Sequence, residues 1–273
     1  MKRLINQTPA APWRLALGLL PFVLVLLVYL SASSARLAAN PDDPLLPSIA
    51  TMADTIVQVA TEPDRRSGEL TLWVDTAASL RRLALGVGLA MAIGLVVGVL
   101  TGLIPYANRS LSPFVSVLSM IPPLAVLPIL FIALGVGEVA KVALIVFGIG
   151  PFLMRDIQQR VEEIPRELLV KAQTLGAGTW QIILRLVLPQ VMPRLLDATR
   201  LALGSAWLFL IASEAIAATE GLGYRIFLVR RYLDMELILP YVAWITLLAF
   251  LFDAILRLIV RVVFPWYRAE SSR

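Results

Sequence analysis

Two neighbouring stretches, Leu83 to Asn108 and Ser110 to Gly137, contain no charged residue. A helix needs about 20 mostly apolar residues to cross a bilayer, and each stretch is long enough to do so. The rest of the chain has the same character. Hydrophobic residues make up 59% of the 273 and mean hydropathy is +0.82, above the roughly 45–50% apolar content of soluble domains. The chain therefore reads as an all-α membrane protein that crosses the bilayer several times.

What is missing narrows the chemistry. There is no cysteine, so disulfides and thiol chemistry are excluded. There is no histidine either, which removes most imidazole catalysis, the H-E-x-x-H metal site and Ser/His arrangements. No G-x-x-x-x-G-K-[ST] nucleotide loop occurs. A net charge of +5 would suit nucleic acid, but in a membrane chain it is the arginine that gathers at cytoplasmic helix ends. No catalytic residue, metal ligand or nucleic-acid partner is expected.

Six spans are read, at about 14–34, 80–105, 112–135, 139–156, 194–219 and 237–262. The basic residues Lys2, Arg3 and Arg14 ahead of the first place the N-terminus inside the cell. A cleaved signal peptide is the alternative, with Ser33-Ser34-Ala35 as a small-residue site, but the apolar run is long for one and a retained helix over 1–35 is expected. Residues 36–79 are acidic and proline-punctuated, which suits an external connection, and 48–60 has the spacing of a short surface helix. A core of five spans follows over 80–265, then a cytoplasmic tail over 266–273. This topology puts fourteen Lys and Arg inside and nine outside, with Arg200 within a span. Arg81, Arg82, Arg225, Arg230 and Arg231 fall on the disfavoured side.

Within the spans, Gly94, Gly98 and Gly102 recur every four residues and form a small-residue packing face, toward a helix of the same chain or toward a second copy. Pro122, Pro123 and Pro128 each remove a backbone donor from the third span. A broken helix is tolerated at membrane depth only where protein or a water-filled cavity covers the freed carbonyls, so this span is expected to face the interior and line a pathway. Glu214 has no charged neighbour at helical spacing in its own span and is, with Ser213, Ser205, Trp207 and Ser119, an expected pathway or gate residue, the alternative for Glu214 being a structural hydrogen bond. Asp253 and Arg257 are one turn apart and are expected to pair, and Arg200 is expected either to pair with Asp197 or to snorkel.

Residues 157–193 do not read as membrane. Glu162-Glu163-Ile164-Pro165 has the acids and proline of a helix start. Ile164, Leu168, Ala172 and Leu175 then form an apolar stripe, opposite Arg166, Glu167, Lys171, Gln173 and Thr174. Gly176 and Gly178 allow a turn into a second helical stretch with Trp180, Ile183, Leu184 and Val187, and Pro189 and Pro193 mark re-entry to the membrane. This is a helix–turn–helix bracket with a free polar face.

The spacing Ala172, three residues, Gly176, nine residues, Leu186-x-Leu188-Pro189 resembles the cytoplasmic coupling loop of ABC importer permeases, which reads Glu-Ala-Ala, three residues, Gly, nine residues, Ile-x-Leu-Pro. Thr174-Leu175-Gly176-Ala177 is similar to the nitrate/sulfonate/taurine branch of that family. So are Ile121-Pro122-Pro123-Leu124-Ala125, Gly135-Val136-Gly137-Glu138, Arg200 to Trp207 and Gly221-Leu222-Gly223-Tyr224. The likeness covers about 80–262. Val170 and Lys171 stand where the family has its glutamate and first alanine, and Glu167 lies one turn earlier.

The resemblance implies the type I importer permease fold, like that of the methionine importer, in the inner membrane of a bacterium with both termini cytoplasmic. It implies a homodimer that works with two ABC ATPase subunits and an external substrate-binding protein, with ATP and Mg held by the ATPase and no cofactor in this chain. ATPase coupling falls to Glu167, Lys171, Ala172, Gln173, Thr174, Leu175, Gly176, Ala177, Leu188 and Pro189. The implied cargo is a small anion or zwitterion such as a sulfonate, taurine or nitrate, with phosphonate, bicarbonate or a pyrimidine precursor as alternatives. An ion-gradient-coupled transporter working through Glu214 is the rival class, and it leaves the bracket without a purpose.

Overall fold

The computed structural model describes residues 10–41, 43–64 and 68–267. Lys2, Arg3, Arg65, Arg66 and most of the expected C-terminal tail lie outside the described residues. The described chain is helical throughout, with no strand. It divides into two compact units, one of residues up to Gln58 with Val229–Pro240, the other of Val59–Leu228 with Tyr241 onward.

The first unit holds α1 (Ala11–Ala39) and most of α2 (Ile49–Thr61). Helix α1 presents Phe22, Val25 and Val28 outward, as a lipid-facing helix requires. Its end is tied down locally: Tyr29 Oη donates to the Pro47 carbonyl at 2.7 Å and Ser33 Oγ to the Leu46 carbonyl at 2.9 Å. Arg36 forms an ion pair with Asp43 and holds that carboxyl below the usual carboxylate range. The short helix expected at 48–60 is α2.

The second unit is built on α3 (Thr71–Leu103), α6 (Glu138–Glu162) and α9 (Leu188–Ala217), with α4 (Pro105–Leu118), α5 (Pro123–Leu134) and, from Tyr241 onward, α11 (Met235–Val263) around them. Helices α3 and α6 approach closely because the facing positions of α3 are small. A Cβ on Gly86, Gly94, Gly98 or Gly102 would stand 2.6–2.8 Å from the Cβ of Ile145, Leu153, Ile157 or Val161. The glycine face thus serves packing inside the chain. In the same way Gly148 of α6 leaves room for the ring of Phe209 on α9.

The third expected span is two helices, not one kinked helix. α4 and α5 meet at 98° across a break at residues 119–122. Pro123 keeps the residue before it, Pro122, extended at ψ 117°, and itself starts α5 at a position where a missing N–H costs nothing. Among the described residues, four helices are long and apolar enough to cross a membrane, five if the bent pair counts as one span. α6, which contains the fourth expected span, carries Glu138, Lys141, Arg155, Asp156 and Arg160 along with its apolar face.

Re-entry after the bracket is continuous. Pro189 does not separate two helices. α8 (Thr179–Ile182) widens into a π-turn at Ile183–Val187 and runs straight into α9. Apolarity and length treat Thr179–Ala217 as one continuous helix. A π-turn just ahead of a proline lets the backbone absorb the lost hydrogen bond without a break.

Candidate functional site

Two polar constructions stand out in the second unit, at opposite ends of α3. The bracket comprises α7 (Arg166–Thr174), a turn, and α8. Helix α7 ends in a Schellman motif. Gly176 has φ 81°, its N–H donates to the Gln173 carbonyl at 2.9 Å, and the Ala177 N–H reaches the Ala172 carbonyl at 3.0 Å. Only glycine takes that φ without strain. The second arm is capped by Gln181, whose Oε1 accepts the Gly178 N–H at 3.0 Å.

The bracket is seated on an apolar cluster of Val99, Ile157, Val161, Ile164, Ile182, Ile183, Val187, Val191 and Leu195, drawn from α3, α6 and the start of α9. Leu169, Ala172, Ala177, Leu186 and Leu188 pack against it half-buried. This corrects the expected stripe. Ile164 and Ala172 face inward, but Leu168 and Leu175 do not, and Leu169 takes the inner position. Leu175 is 88% exposed, Trp180 69% and Val170 54%. Glu167, Lys171, Gln173 and Thr174 are exposed with them, and Pro189 is exposed at the start of α9. A concavity of about 430 Å³ lies along the turn, bounded by Leu175, Gly176, Gln181 and Arg185 among others. The outer surface of the bracket is therefore mixed, apolar at its tip and charged along α7.

At the other end of α3, Asp75, Ser79 and Arg82 lie on one helix face at spacings of four and three. All three are buried. Arg82, 2% exposed, meets Glu214, 0% exposed, through Nη1 to Oε1 at 2.8 Å. The same nitrogen donates to the Glu220 carbonyl at 2.8 Å, while Nε and Nη2 grip both oxygens of Glu138 at 2.5 and 2.8 Å. Ser79 Oγ lies 2.8 and 2.9 Å from the two Glu214 oxygens and accepts the Leu222 N–H at 2.9 Å. Glu214 Oε2 also accepts the Gly223 N–H at 2.9 Å. Lys141 adds a contact to Glu138 at 2.8 Å. Asp75 accepts the Gly221 N–H at 2.8 Å, Arg225 Nε at 2.8 Å and Tyr241 Oη at 3.3 Å.

This cluster ties α3, α6, α9, α10 (Leu222–Val229) and α11 together. Gly221, at φ 125°, closes over it: a Cβ there would fall 2.6 Å from the Glu214 carboxyl carbon and 2.7 Å from Arg82 Nη1. A Cβ on Gly223 would meet the Ile211 carbonyl at 2.7 Å. The Gly-Leu-Gly-Tyr segment is thus a lid of backbone over an ion pair. Arg82 and Arg225, two of the residues that disobeyed the charge rule, are both neutralised here. Sequence reasoning singled out Glu214 and missed its partners, because they come from a helix more than a hundred residues away. The available signal was the Asp75/Ser79/Arg82 face at the edge of an apolar run.

The remaining expected residues are scattered. Ser213 is buried and donates to the Leu210 carbonyl at 2.8 Å. Ser205 is exposed on α9. Trp207 is buried, and its indole N–H is the one buried side-chain nitrogen or oxygen without a partner among the described residues. Ser119 and Pro123 line a cavity of about 660 Å³ between α4 and α6, and Pro122 is exposed at the break beside it. The expected pairs near the other end of α11 are present: Arg200 binds Asp197 and Asp253, each at 2.8 Å, and Arg257 also binds Asp253. No group of three or more Asp and Glu able to hold a metal occurs among the described residues.

Comparison with known proteins places these features. The profile of the family described as binding-protein-dependent transport system inner membrane component matches residues 90–269. The taurine transport system permease protein TauC of Escherichia coli K12 is 35% identical over 199 residues, covering 73% of this chain and 72% of TauC. The putative aliphatic sulfonates transport permease protein SsuC of Bacillus subtilis 168 is 30% identical over 200 residues, covering 73% and 72%. Among solved structures, an inward-facing form of the MetNI methionine ABC transporter superposes with a TM-score of 0.61 at 24% identity, over 69% of this chain and 94% of that one.

Proposed function

The chain belongs to the family of binding-protein-dependent transport system inner membrane components, and from that membership we propose that it forms half of a membrane pore admitting a small organosulfonate-like anion. It is the permease subunit of an ABC importer, a transport subunit with the type I importer fold, and ATP hydrolysis belongs to a separate ATPase. In our reading two copies pair across the membrane, two ATPases holding ATP and Mg sit beneath them, and an external binding protein delivers the solute. Both termini and the bracket face the cytoplasm. The taurine and sulfonate relatives motivate the cargo.

The observation that carries this reading is the bracket. It is stiffened by the Schellman turn at Gly176, rooted in the α3/α6/α9 core, and bare on its outer side. Helix α7 is short and stiff, about 1.5 Å per residue. A push on it by closing ATPases passes through the continuous α8–α9 rod into the membrane. Glu167, Lys171, Gln173, Thr174, Leu175, Gly176 and Ala177 form the docking side, and Ala172, Leu188 and Pro189 anchor it. Ser119, Pro122 and Pro123 line the pathway at the break. Ser205 faces outward from α9, and Trp207 keeps an unused donor. Ser213 and Glu214 belong to the rigid frame against which the pathway moves, since the buried Glu214 carboxylate is already held by Arg82, Ser79 and the Gly223 N–H.

Proteoliposomes containing the chain, its ATPase and its binding protein are expected to accumulate labelled taurine only with ATP inside reach of the ATPase. Uptake driven by a proton or sodium gradient without the ATPase would replace this reading with that of a secondary transporter.

A further inference from the structure

The arginines near the spans are mostly spent on carboxylates: Arg82 on Glu138 and Glu214, Arg200 on Asp197 and Asp253, Arg225 on Asp75, Arg257 on Asp253. Arg155 is different. It lies in the wall of the 660 Å³ cavity between α4 and α6, and among the described residues its polar contact is a hydrogen bond to a neutral group, Ser119 Oγ at 3.1 Å. Two acids, Asp156 and Glu162, share that wall. Glu162 accepts from Asn108 and Gln158, each at 3.0 Å, and Asp156 faces Arg160 at 3.7 Å. Across the cavity, Ser112, Ser116 and Ser119 share one face of the α4 segment at spacings of four and three. Ser112 donates to Gln158 Oε1 at 3.0 Å and Ser119 to the Ser116 carbonyl at 2.8 Å, which leaves the Ser116 hydroxyl and the Gln159 amide facing the cavity.

An unpaired guanidinium facing a hydroxyl and an amide in a partly enclosed cleft is the donor set for an oxyanion. The volume falls in the range of small-molecule sites, roughly 300–1,000 Å³. We propose that the α4–α6 cavity is an anion-selective vestibule on the transport path, in which Arg155 draws the negatively charged end of the solute and sets the preference for anions. The assignment rests on the transport reading above and names the residue responsible for its substrate class. One unpaired cation, with no ring of them, suits a site that a solute must also leave.

The absence of cysteine permits a direct test. In the Ser116→Cys chain, assembled with its ATPase in nanodiscs, the single thiol is exposed to an anionic ethylsulfonate methanethiosulfonate and to its cationic trimethylammonium counterpart. Rates are normalised to those of a free thiol. The anionic reagent is expected to react at least about threefold faster, the effect of one charge several ångströms away in water-like surroundings. Adding Arg155→Gln should bring the ratio to about one, Arg155→Lys should keep it, and taurine at millimolar concentration should slow labelling. Equal rates in the parent, a ratio indifferent to Arg155→Gln, or no labelling because a second copy covers the cavity would each overturn the assignment. The labelling does not depend on what is imported. Asymmetric labelling together with no ATP-driven uptake of taurine or other sulfonates would sink the proposed cargo and leave the vestibule standing. Normal uptake with symmetric labelling would do the reverse.

Discussion

Arg82 donates to carboxylates from two helices and to a loop carbonyl, all from a position with almost no solvent. Taking away one partner of such a buried pair leaves an uncompensated charge and costs about 3–5 kcal/mol. Arg82→Ala is therefore expected to lower the thermal midpoint of the purified permease substantially. Glu214→Gln, which keeps an oxygen for the Ser79 and Gly223 bonds, should cost less. Tryptophan fluorescence on heating measures both, and a full-strength midpoint in Arg82→Ala would remove the frame role given to this cluster. Gly176 makes a separate case. Its φ of 81° in a β-branched residue costs about 1–2 kcal/mol, and open space surrounds the position, so strain alone acts. Gly176→Val should fold and insert, then hydrolyse ATP without matching uptake. Hydrolysis and transport falling together, or neither changing, would argue against the turn as a coupling element.

Between elements, the α3–α6 contact depends on glycines that let two backbones meet. Gly98→Leu would drive its Cβ into Ile157 and the Met154 carbonyl, at 2.6 and 2.9 Å, forcing the helices apart. Overpacking of this kind typically costs 1–3 kcal/mol or more, and detergent-solubilised yield and thermal midpoint should both drop. Gly88, with nothing within 4 Å, is the control, and Gly88→Leu should be near neutral. The bracket makes the opposite prediction. Leu175 and Trp180 are mostly exposed, so Leu175→Asp with Trp180→Asp should leave the midpoint unchanged while abolishing co-purification of the ATPase. Retained co-purification would mean that the apolar tip is not the docking surface. Val170, 54% exposed, extends that apolar surface along α7.

At the scale of the whole molecule, the proposed half-pore requires a second half. Mass photometry of the nanodisc complex is expected to give two permeases with two ATPases. A stable one-to-one complex active in uptake would contradict the homodimer. What the sequence alone determined were properties that local chemistry decides. Charge-free runs specify membrane helices because the bilayer lets no backbone group go unpaired. Gly176 specifies a left-handed turn because other residues strain there, and two adjacent prolines specify a break. Long-range packing decided the rest. The inward face of α7 settled on Leu169 instead of Leu168 and Leu175 because it is set by the core beneath it. The glycine face found α6, and the lone glutamate of the fifth span found Arg82 across the unit. A buried charge takes its partner from whichever helix the fold brings alongside, and sequence spacing along one helix does not contain that choice.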